Sequence, residues 1–246
     1  MYGLVVTAGI FIAAWYAGEE CVMQKEDKEI VWDALLWILI FGILGARIYH
    51  VINLWPYYSQ NPMLIVEIWK GGLGILGGIA GGITGLLLFA RRRKIQGRKL
   101  LKYIDIAAVS LPLGQFIGRF ANYFNQELYG KPTSLPWGIY IDPARRLPEV
   151  QSFSSFHPLF LYEAIGSLLI FVLLFIAKHK PWKRLKIVDG EIFLLYLSFY
   201  GILRASLETL RLSPWEIAGL NVAQALSILV SLSSLGILVY RRNKHA

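Results

Sequence analysis

The sequence predicts an all-α integral membrane protein with seven transmembrane helices. Hydrophobic residues make up 56% of the 246 positions, charged residues make up only 17%, and the mean hydropathy is +0.51. One soluble core of this length would not use so much apolar side chain. Several stretches are also apolar for close to the roughly 20 residues that a helix needs to cross a bilayer. We therefore expect a single membrane domain over residues 1–246.

The predicted helices follow one another along the chain, with one longer connection among them. They lie near residues 2–18, 31–53, 71–90, 103–123, 157–177, 190–208 and 215–240. The longest connection, 124–156, contains four prolines and too few apolar residues for a large core of its own. We expect it to form a small cap on the outer side of the membrane, over the site.

The distribution of Lys and Arg predicts the orientation. The connections 19–30, 91–102 and 178–186 and the tail 241–244 contain 17 basic residues, whereas the alternate connections contain five. Because basic residues accumulate on the cytoplasmic side, the N-terminus is expected outside and the C-terminus in the cytoplasm. The net charge of +9 then reflects topology and attraction to the lipid bilayer, and no nucleic-acid site is expected.

Three arginines, Arg47, Arg119 and Arg204, fall inside predicted helices. A charge there costs roughly 2.5 to 3.5 kcal/mol on insertion scales, so a functional or paired role is expected. The rise of about 1.5 Å per residue places all three at one level in the outer half of the bilayer. Guanidinium groups bind phosphate bidentately, which suits a phospholipid head group. The alternative is that each arginine pairs with a carboxylate, as Glu208 allows for Arg204.

Two glycine-containing stretches add to this pattern. The segment GGLGILGGIAGGITG, residues 71–85, has glycines at four-residue spacing, which allows close helix packing. The outermost two, Gly71 and Gly72, would let bare backbone approach a head group. In GRFANYFNQELYG, residues 118–130, an Arg and an Asn share one helical face before a Glu and a Gly at the outer mouth. This combination indicates chemistry on a phospholipid head group.

GRFANYFNQELYG resembles the signature of the bacterial phosphatidylglycerol–prolipoprotein diacylglyceryl transferases. Further blocks occur in the order and spacing of that family: YGL at Tyr2, GARIYHV around Arg47, GGLGILGG, HPLFLYE from His157 to Glu163, and YGILRASLETLR from Tyr200 to Arg211. The similarity covers almost the whole chain. It implies a multi-pass enzyme of the bacterial cytoplasmic (inner) membrane, with its active site toward the outer leaflet.

The resemblance implies transfer of the sn-1,2-diacylglyceryl group from phosphatidylglycerol to the lipobox cysteine thiol of a prolipoprotein, releasing glycerol phosphate. This is the first step of bacterial lipoprotein maturation. The implied partners are phosphatidylglycerol, the prolipoprotein lipobox peptide, which would dock at the cap, and the bilayer. No cofactor and no metal are implied.

Roles for single residues are carried over from the same motifs. Arg119 and Arg204 would clamp the phosphate, with Glu127 and Tyr2 as further catalytic residues. Glu208 would hold Arg204. The remaining expected substrate-binding residues are Asn122, Gly130, Tyr200, Gly71, Gly72, Arg47 and His157. A lone histidine before proline, as at His157, is more commonly a cap or an interfacial anchor.

Two positions depart from the family pattern. Leu76 stands where most members have a histidine assigned as base or head-group ligand, and Phe160 stands where glutamine is usual. Three accounts of Leu76 are open. No base is needed, or Glu127, His157 or Tyr2 replaces it, or the chain is a paralogue that has lost the reaction.

Two other classes of function are weighed against the transferase. A lipid or anion transporter could use the same arginines, but such proteins usually contain internal repeats, and none is convincing here. A non-catalytic assembly factor would tolerate neutral replacement of the arginines. The only cysteine, Cys21, is expected in the first cytoplasmic connection, so neither a disulfide nor a metal site is supported.

Overall fold

The computed structural model describes residues 1–179, 187–217 and 219–245, and almost all of its regular structure is helical. The α-helices in these residues are α1 (Tyr2–Met23), α2 (Glu29–Asn53), α3 (Trp55–Gln60), α4 (Ile75–Arg92), α5 (Arg98–Asn125), α6 (Leu159–His179), α7 (Glu191–Glu208) and α8 (Val222–His245). Strand β1 (Ile139–Tyr140) pairs antiparallel with β2 (Ser155–Phe156), and β3 (Glu216–Ile217) pairs antiparallel with β4 (Leu220–Asn221). Short 3₁₀ helices cover Pro62–Val66, Ile68–Lys70, Pro143–Arg145 and Pro148–Val150.

Six helices in the described part of the chain are long and apolar enough to cross a membrane: α1, α2, α4, α5, α6 and α8. The remaining predicted crossing corresponds to α7, whose 18 residues include Glu191, Arg204 and Glu208. The prediction of an all-helical membrane protein is therefore confirmed. The count of seven crossings and their orientation stay predictions, and most of the basic connection 178–186 lies outside the described residues.

Three of the differences from the predicted boundaries have a clear physical reason. Helix α8 begins at Val222 rather than near 215, because Glu216–Ile217 and Leu220–Asn221 pair with each other as β3 and β4. Helix α4 begins at Ile75 rather than at 71, because Gly71 and Gly72 adopt φ angles of 88° and 74°, which a right-handed helix does not contain. Cys21 lies inside α1 and is fully buried, not in a connection, because α1 continues to Met23. Helix α3 and the two 3₁₀ helices that follow it were not predicted, since periodicity carries little signal over so few residues.

The chain divides into two compact units, Gly18–Leu100 and the combination of Met1–Ala17 with Leu101–Ala246. The single membrane domain stays a prediction. In the smaller unit, α2 packs against glycines of α4 at four-residue spacing, the row that contains Gly81 and Gly85. A Cβ atom on Gly81 would collide with the carbonyl oxygen of Phe41, and one on Gly85 would lie 2.5 Å from the carbonyl oxygen of Trp37. The predicted close helix packing is therefore confirmed for this row.

In the larger unit, α5, α6 and α7 share an apolar core. It is formed by Ala108 and Val109 of α5, Ile170 and Leu174 of α6, and Ile192 and Tyr196 of α7. This shared core holds the halves of the three helices that are far from the cap beside one another, and Arg119, Glu163 and Arg204 lie toward the opposite ends of the same helices.

A buried carboxylate also fixes α7 against α5. The Asp105 side chain accepts hydrogen bonds from the backbone N–H of Gly190 at 2.6 Å and of Phe193 at 2.9 Å. These N–H groups belong to the first turn of α7, where the helix itself offers no acceptor. At the same end, Glu191 forms an ion pair of 3.0 Å with Arg242 of α8. The register of α7 relative to its neighbours is thus set by specific polar contacts.

The connection after α5 forms the predicted cap and contains a small core of its own. Tyr129, Ile141, Val150 and Phe156 are buried together around the hairpin of β1 and β2. Gly130 is bridged to Arg211, which ties the cap to the end of α7. A compact cap therefore covers the end of the helices in the larger unit.

The packing of α2 on α4 generates a test with a matched pair of glycines. Gly81→Ala places a methyl group against the Phe41 carbonyl, whereas Gly78→Ala places one at an ordinary 3.6 Å from the Ala46 side chain. We expect Gly81→Ala to destabilise the protein by about 1–3 kcal/mol through overpacking. Thermal unfolding of purified protein in detergent measures the effect. Equal melting temperatures for the two variants would contradict this account of the interface.

Candidate functional site

A buried carboxylate lies at the centre of the polar residues in the larger unit. Glu163, one turn into α6, is 4% exposed. Its Oε1 atom lies 2.5 Å from Nη2 of Arg119 on α5, and its Oε2 atom lies 3.8 Å from Nη1 of Arg204 on α7. The Tyr200 hydroxyl donates a hydrogen bond of 2.8 Å to the same Oε1 atom. Three helices therefore meet on one carboxylate.

The ion pairs continue along α7. Nη2 of Arg204 lies 2.8 Å from Oε2 of Glu208, one turn further along the helix, and Nη1 of Arg211 lies 3.5 Å from the same oxygen. The other oxygen of Glu208, Oε1, is buried and accepts no hydrogen bond within the part of the chain that is described.

The arginines of this cluster are more accessible than its carboxylates. The side chains of Arg119 and Arg204 are 23% and 24% exposed, whereas those of Glu163 and Glu208 are 6% and 1% exposed. The carboxylates thus lie behind the guanidinium groups. An anion approaching from outside the protein would meet positive groups first, already fixed in orientation by the carboxylates behind them.

A second layer of polar side chains lies next to the cluster. The Gln115 side-chain amide donates a hydrogen bond of 2.9 Å to the Tyr196 hydroxyl. The ring of Tyr196 stacks on that of Tyr200, with 5.8 Å between centroids. These contacts fix the ring of Tyr200 and so the direction of the hydroxyl that it offers to Glu163.

The end of α5 forms a pocket with the cap. The pocket has a volume of about 210 Å³, and its wall includes Asn122, Glu127, Tyr140 and Phe160. The Asn122 amide donates a hydrogen bond of 2.9 Å to Oε1 of Glu127, so the two polar groups are held together. Phe160 packs on Tyr123 with 5.2 Å between ring centroids. The position where the family usually has glutamine is therefore part of an apolar wall in this chain.

His157 and Gly130 both hold the cap in place. The backbone N–H of Gly130 donates to the carbonyl of His157 at 2.8 Å, and a Cβ atom on Gly130 would lie 2.9 Å from that of His157. Nδ1 of His157 lies 3.1 Å from the Tyr162 hydroxyl, which also accepts a hydrogen bond from Trp137. These contacts favour the structural interpretation of His157 over a role in binding substrate.

Arg47 lies in the smaller unit and is bonded to backbone. Its guanidinium group donates to the carbonyl oxygens of Leu64, Ile65, Gly71 and Gly72, with distances of 2.9 Å to Ile65 and 2.7 Å to Gly71. Gly72 has no room for a side chain, because a Cβ atom would lie 2.6 Å from Nη1 of Arg47. Arg47 and the two glycines thus contact one another, and their predicted part in substrate binding stays a prediction.

The remaining predicted residue, Tyr2, begins α1 and is 42% exposed. It is not among the residues that line the pocket at the end of α5. The structure therefore brings together Arg119, Arg204, Tyr200 and Glu208 in one cluster, and the pocket residues Asn122 and Glu127 in a second group. The described residues contain no group of three or more His, Cys, Asp or Glu that could hold a metal ion.

Three members of this group of polar residues were not predicted from the sequence: Glu163, Gln115 and Tyr196. The signal for Glu163 was present, because a carboxylate inside an apolar membrane helix carries the same burial cost that singled out the arginines. Gln115 gives a weaker signal of the same kind. Tyr196 gives none, since tyrosine is common in apolar helices and only the neighbouring helix reveals its partner.

The chain is similar to known proteins over nearly its whole length. The profile of the family described as "Prolipoprotein diacylglyceryl transferase" matches residues 1–240. Three similar proteins are named phosphatidylglycerol–prolipoprotein diacylglyceryl transferases. The one from Trichormus variabilis is 38% identical, covering 92% of this chain and 80% of its own length. The one from Fervidobacterium nodosum is 39% identical, covering 93% of this chain and 76% of its own length. The second transferase of Streptomyces coelicolor is 35% identical, covering 99% of this chain and 76% of its own length. The chain therefore belongs to the prolipoprotein diacylglyceryl transferase family.

Proposed function

We propose that Arg119 and Arg204 bind the phosphate of phosphatidylglycerol during the reaction that this family member catalyses. The chain is a phosphatidylglycerol–prolipoprotein diacylglyceryl transferase, an enzyme of the first step of lipoprotein maturation. One observation carries the assignment of the site. The two guanidinium groups contact the two different oxygens of one carboxylate, at 2.5 Å and 3.8 Å. Groups spaced for two oxygens of a carboxylate also suit two oxygens of a phosphate.

The reaction requires positive charge at this position. The thiolate of the lipobox cysteine forms a bond to the glyceryl carbon that carries the phosphate ester, and the bond from that carbon to oxygen breaks. The electron pair stays on the phosphate oxygen, so that glycerol phosphate leaves with more negative charge, and the thiol proton is lost. Guanidinium groups that are already oriented stabilise this developing charge without reorganising.

The pocket at the end of α5 supports the placement of the head-group glycerol. Its wall presents the Glu127 carboxylate, fixed by Asn122, beside aromatic side chains. A carboxylate accepts hydrogen bonds from hydroxyl groups, of which the terminal glycerol has two. We therefore assign Asn122 and Glu127 to orienting the head group, and the cap 124–156 to docking the lipobox peptide.

We also propose seven crossings, with the N-terminus outside, the C-terminus in the cytoplasm and the site toward the outer leaflet. The charges of α7 are compatible with a crossing because each has an opposite partner: Glu191 pairs with Arg242, and Arg204 pairs with Glu163 and Glu208. Both clamp arginines lie within two turns of the end of their helices on the cap side. Phosphatidylglycerol of the outer leaflet can reach that level from the bilayer.

For the position of the missing histidine, we propose that phosphate activation makes a base unnecessary. The three substitutes considered from the sequence are poorly suited. Glu127 is bonded to Asn122, His157 is held by the cap and by Tyr162, and Tyr2 is exposed at the start of α1. The thiol then loses its proton to water rather than to a side chain.

One prediction concerns the phosphate clamp, the pair Arg119 and Arg204. Arg119→Gln and Arg204→Gln each remove a cation that stabilises the leaving phosphate, so we expect the transfer rate to fall by about 10²–10³-fold. Mass spectrometry of a lipobox peptide incubated with purified protein and phosphatidylglycerol in detergent measures the diacylglyceryl gain. Arg91→Gln, at an exposed position at the end of α4, is the matched control. A transfer rate within tenfold of that of the unsubstituted chain in both clamp variants would contradict the assignment of these arginines to the phosphate.

The second prediction concerns Leu76. If the reaction lacked a needed base, Leu76→His would restore one and raise the rate by about 10²-fold or more. We expect no such increase, because phosphate activation is proposed to be sufficient. The same peptide assay decides, with Leu76→Ala as the control for the loss of the leucine side chain. A large gain with histidine alone would show that this position limits the reaction.

The third prediction tests topology by chemical labelling of intact cells. Ser134→Cys, in the cap, is expected to react with a membrane-impermeant maleimide, and Gln96→Cys, between α4 and α5, is expected to react only after the cells are opened. Both positions are exposed, whereas the native Cys21 is fully buried and provides a low background. The reverse labelling pattern would require the opposite orientation.

A further inference from the structure

The Glu163 carboxylate contacts the same guanidinium groups that we assign to binding the phosphate. Its carboxylate contacts both Arg119 and Arg204, and it receives the Tyr200 hydroxyl as a third donor. The proposed function gives these same arginines to the phosphate of the lipid. A buried carboxylate and a phosphate therefore compete for one pair of guanidinium groups, and the reaction described so far uses only the arginines.

The charges of the cluster are matched to the substrate rather than to the product. Arg119, Arg204 and Arg211 face Glu163 and Glu208, so three cations and two carboxylates leave one net positive charge. A phosphodiester carries one negative charge and neutralises the cluster. The released phosphate monoester carries about −1.5 to −2 at pH 7, which exceeds what the cluster can neutralise.

The helix that carries Glu163 also offers its carboxylate a second position. Ser167 lies one turn further along α6, on the same face, and is fully buried. Its hydroxyl has no hydrogen-bond partner within the described residues. The flexible side chain of Glu163 can turn toward Ser167 while it keeps the bond from Tyr200, so that it releases the arginines without becoming an unpaired buried charge.

We propose that Glu163 exchanges with the phosphate at each turnover. Its carboxylate yields Arg119 and Arg204 to the phosphodiester when the lipid binds, and it takes them back as glycerol phosphate leaves. Glu163 is thus a positioning residue that speeds product release by competing with the product. This inference rests on the proposed phosphate site, and no bond is made or broken in the exchange.

The test compares the binding of the product with the rate of turnover. In Glu163→Gln the competing negative charge is gone, so inhibition by glycerol phosphate is expected to tighten by about tenfold or more, equivalent to about 1.4 kcal/mol. Multiple-turnover transfer should slow more than the single-turnover rate does, because release becomes limiting. Glu163→Asp, whose shorter side chain retains the charge but retracts from the arginines, is expected to change in the same direction by less. Glu19→Gln, at an exposed position, is the control.

If the role of Glu163 is purely structural, the variants are not expected to bind glycerol phosphate more tightly. If it only orients the arginines, both variants bind glycerol phosphate more weakly or unchanged, and single- and multiple-turnover rates fall together. That result would overturn the exchange, and Glu163→Asp decides it if Glu163→Gln does not fold. The proposed phosphate site is judged separately: it fails if Arg119→Gln and Arg204→Gln leave inhibition by glycerol phosphate unaltered. Tighter inhibition, with a larger fall in the multiple-turnover rate than in the single-turnover rate, supports both.

Discussion

The arrangement of the larger unit depends on one buried carboxylate that joins two arginines from different helices. Burying Glu163 without partners would be costly, and so would leaving Arg119 or Arg204 alone in an apolar environment. Each charge is acceptable only because the others are present. The helices α5, α6 and α7 must therefore approach at one level, and this requirement fixes the site that we propose for the chemistry.

The rest of the larger unit maintains that approach. Asp105 holds the first turn of α7 against α5 at one end of the bundle, and the cap is tied to the far end of α7 through Gly130. Between these ends, the apolar core fills the space along the helices. Because α7 is fixed at both ends, Arg204 cannot change its depth independently of Arg119. A pair of guanidinium groups at constant spacing is what recognition of a phosphate requires.

Much of the fold and part of the candidate site were predictable from periodicity and composition. The other features were not, because they depend on contacts between helices and on short irregular segments. The apolar runs predicted most ends of the long helices to within about five residues, although α8 begins later than predicted. The cost of a charge in a membrane singled out Arg119 and Arg204. Glu163 gave the same burial-cost signal, but its two arginine partners depend on which helices are neighbours. The carbonyl oxygens that surround Arg47 were equally invisible, since they belong to short 3₁₀ helices and to left-handed glycines that no hydrophobic pattern reveals.

The pairing of α7 has a consequence for how the protein is made. Its charges have partners on α6, which the ribosome produces earlier, and on α8, which it produces later. Arg204 pairs with Glu208 of its own helix and with Glu163 of a helix that has already been made, so these pairs can form as soon as α7 has been translated. Glu191 is neutralised only after the end of α8 has been translated. The ion pairs of α7 are therefore completed in two stages, one at each end of the helix.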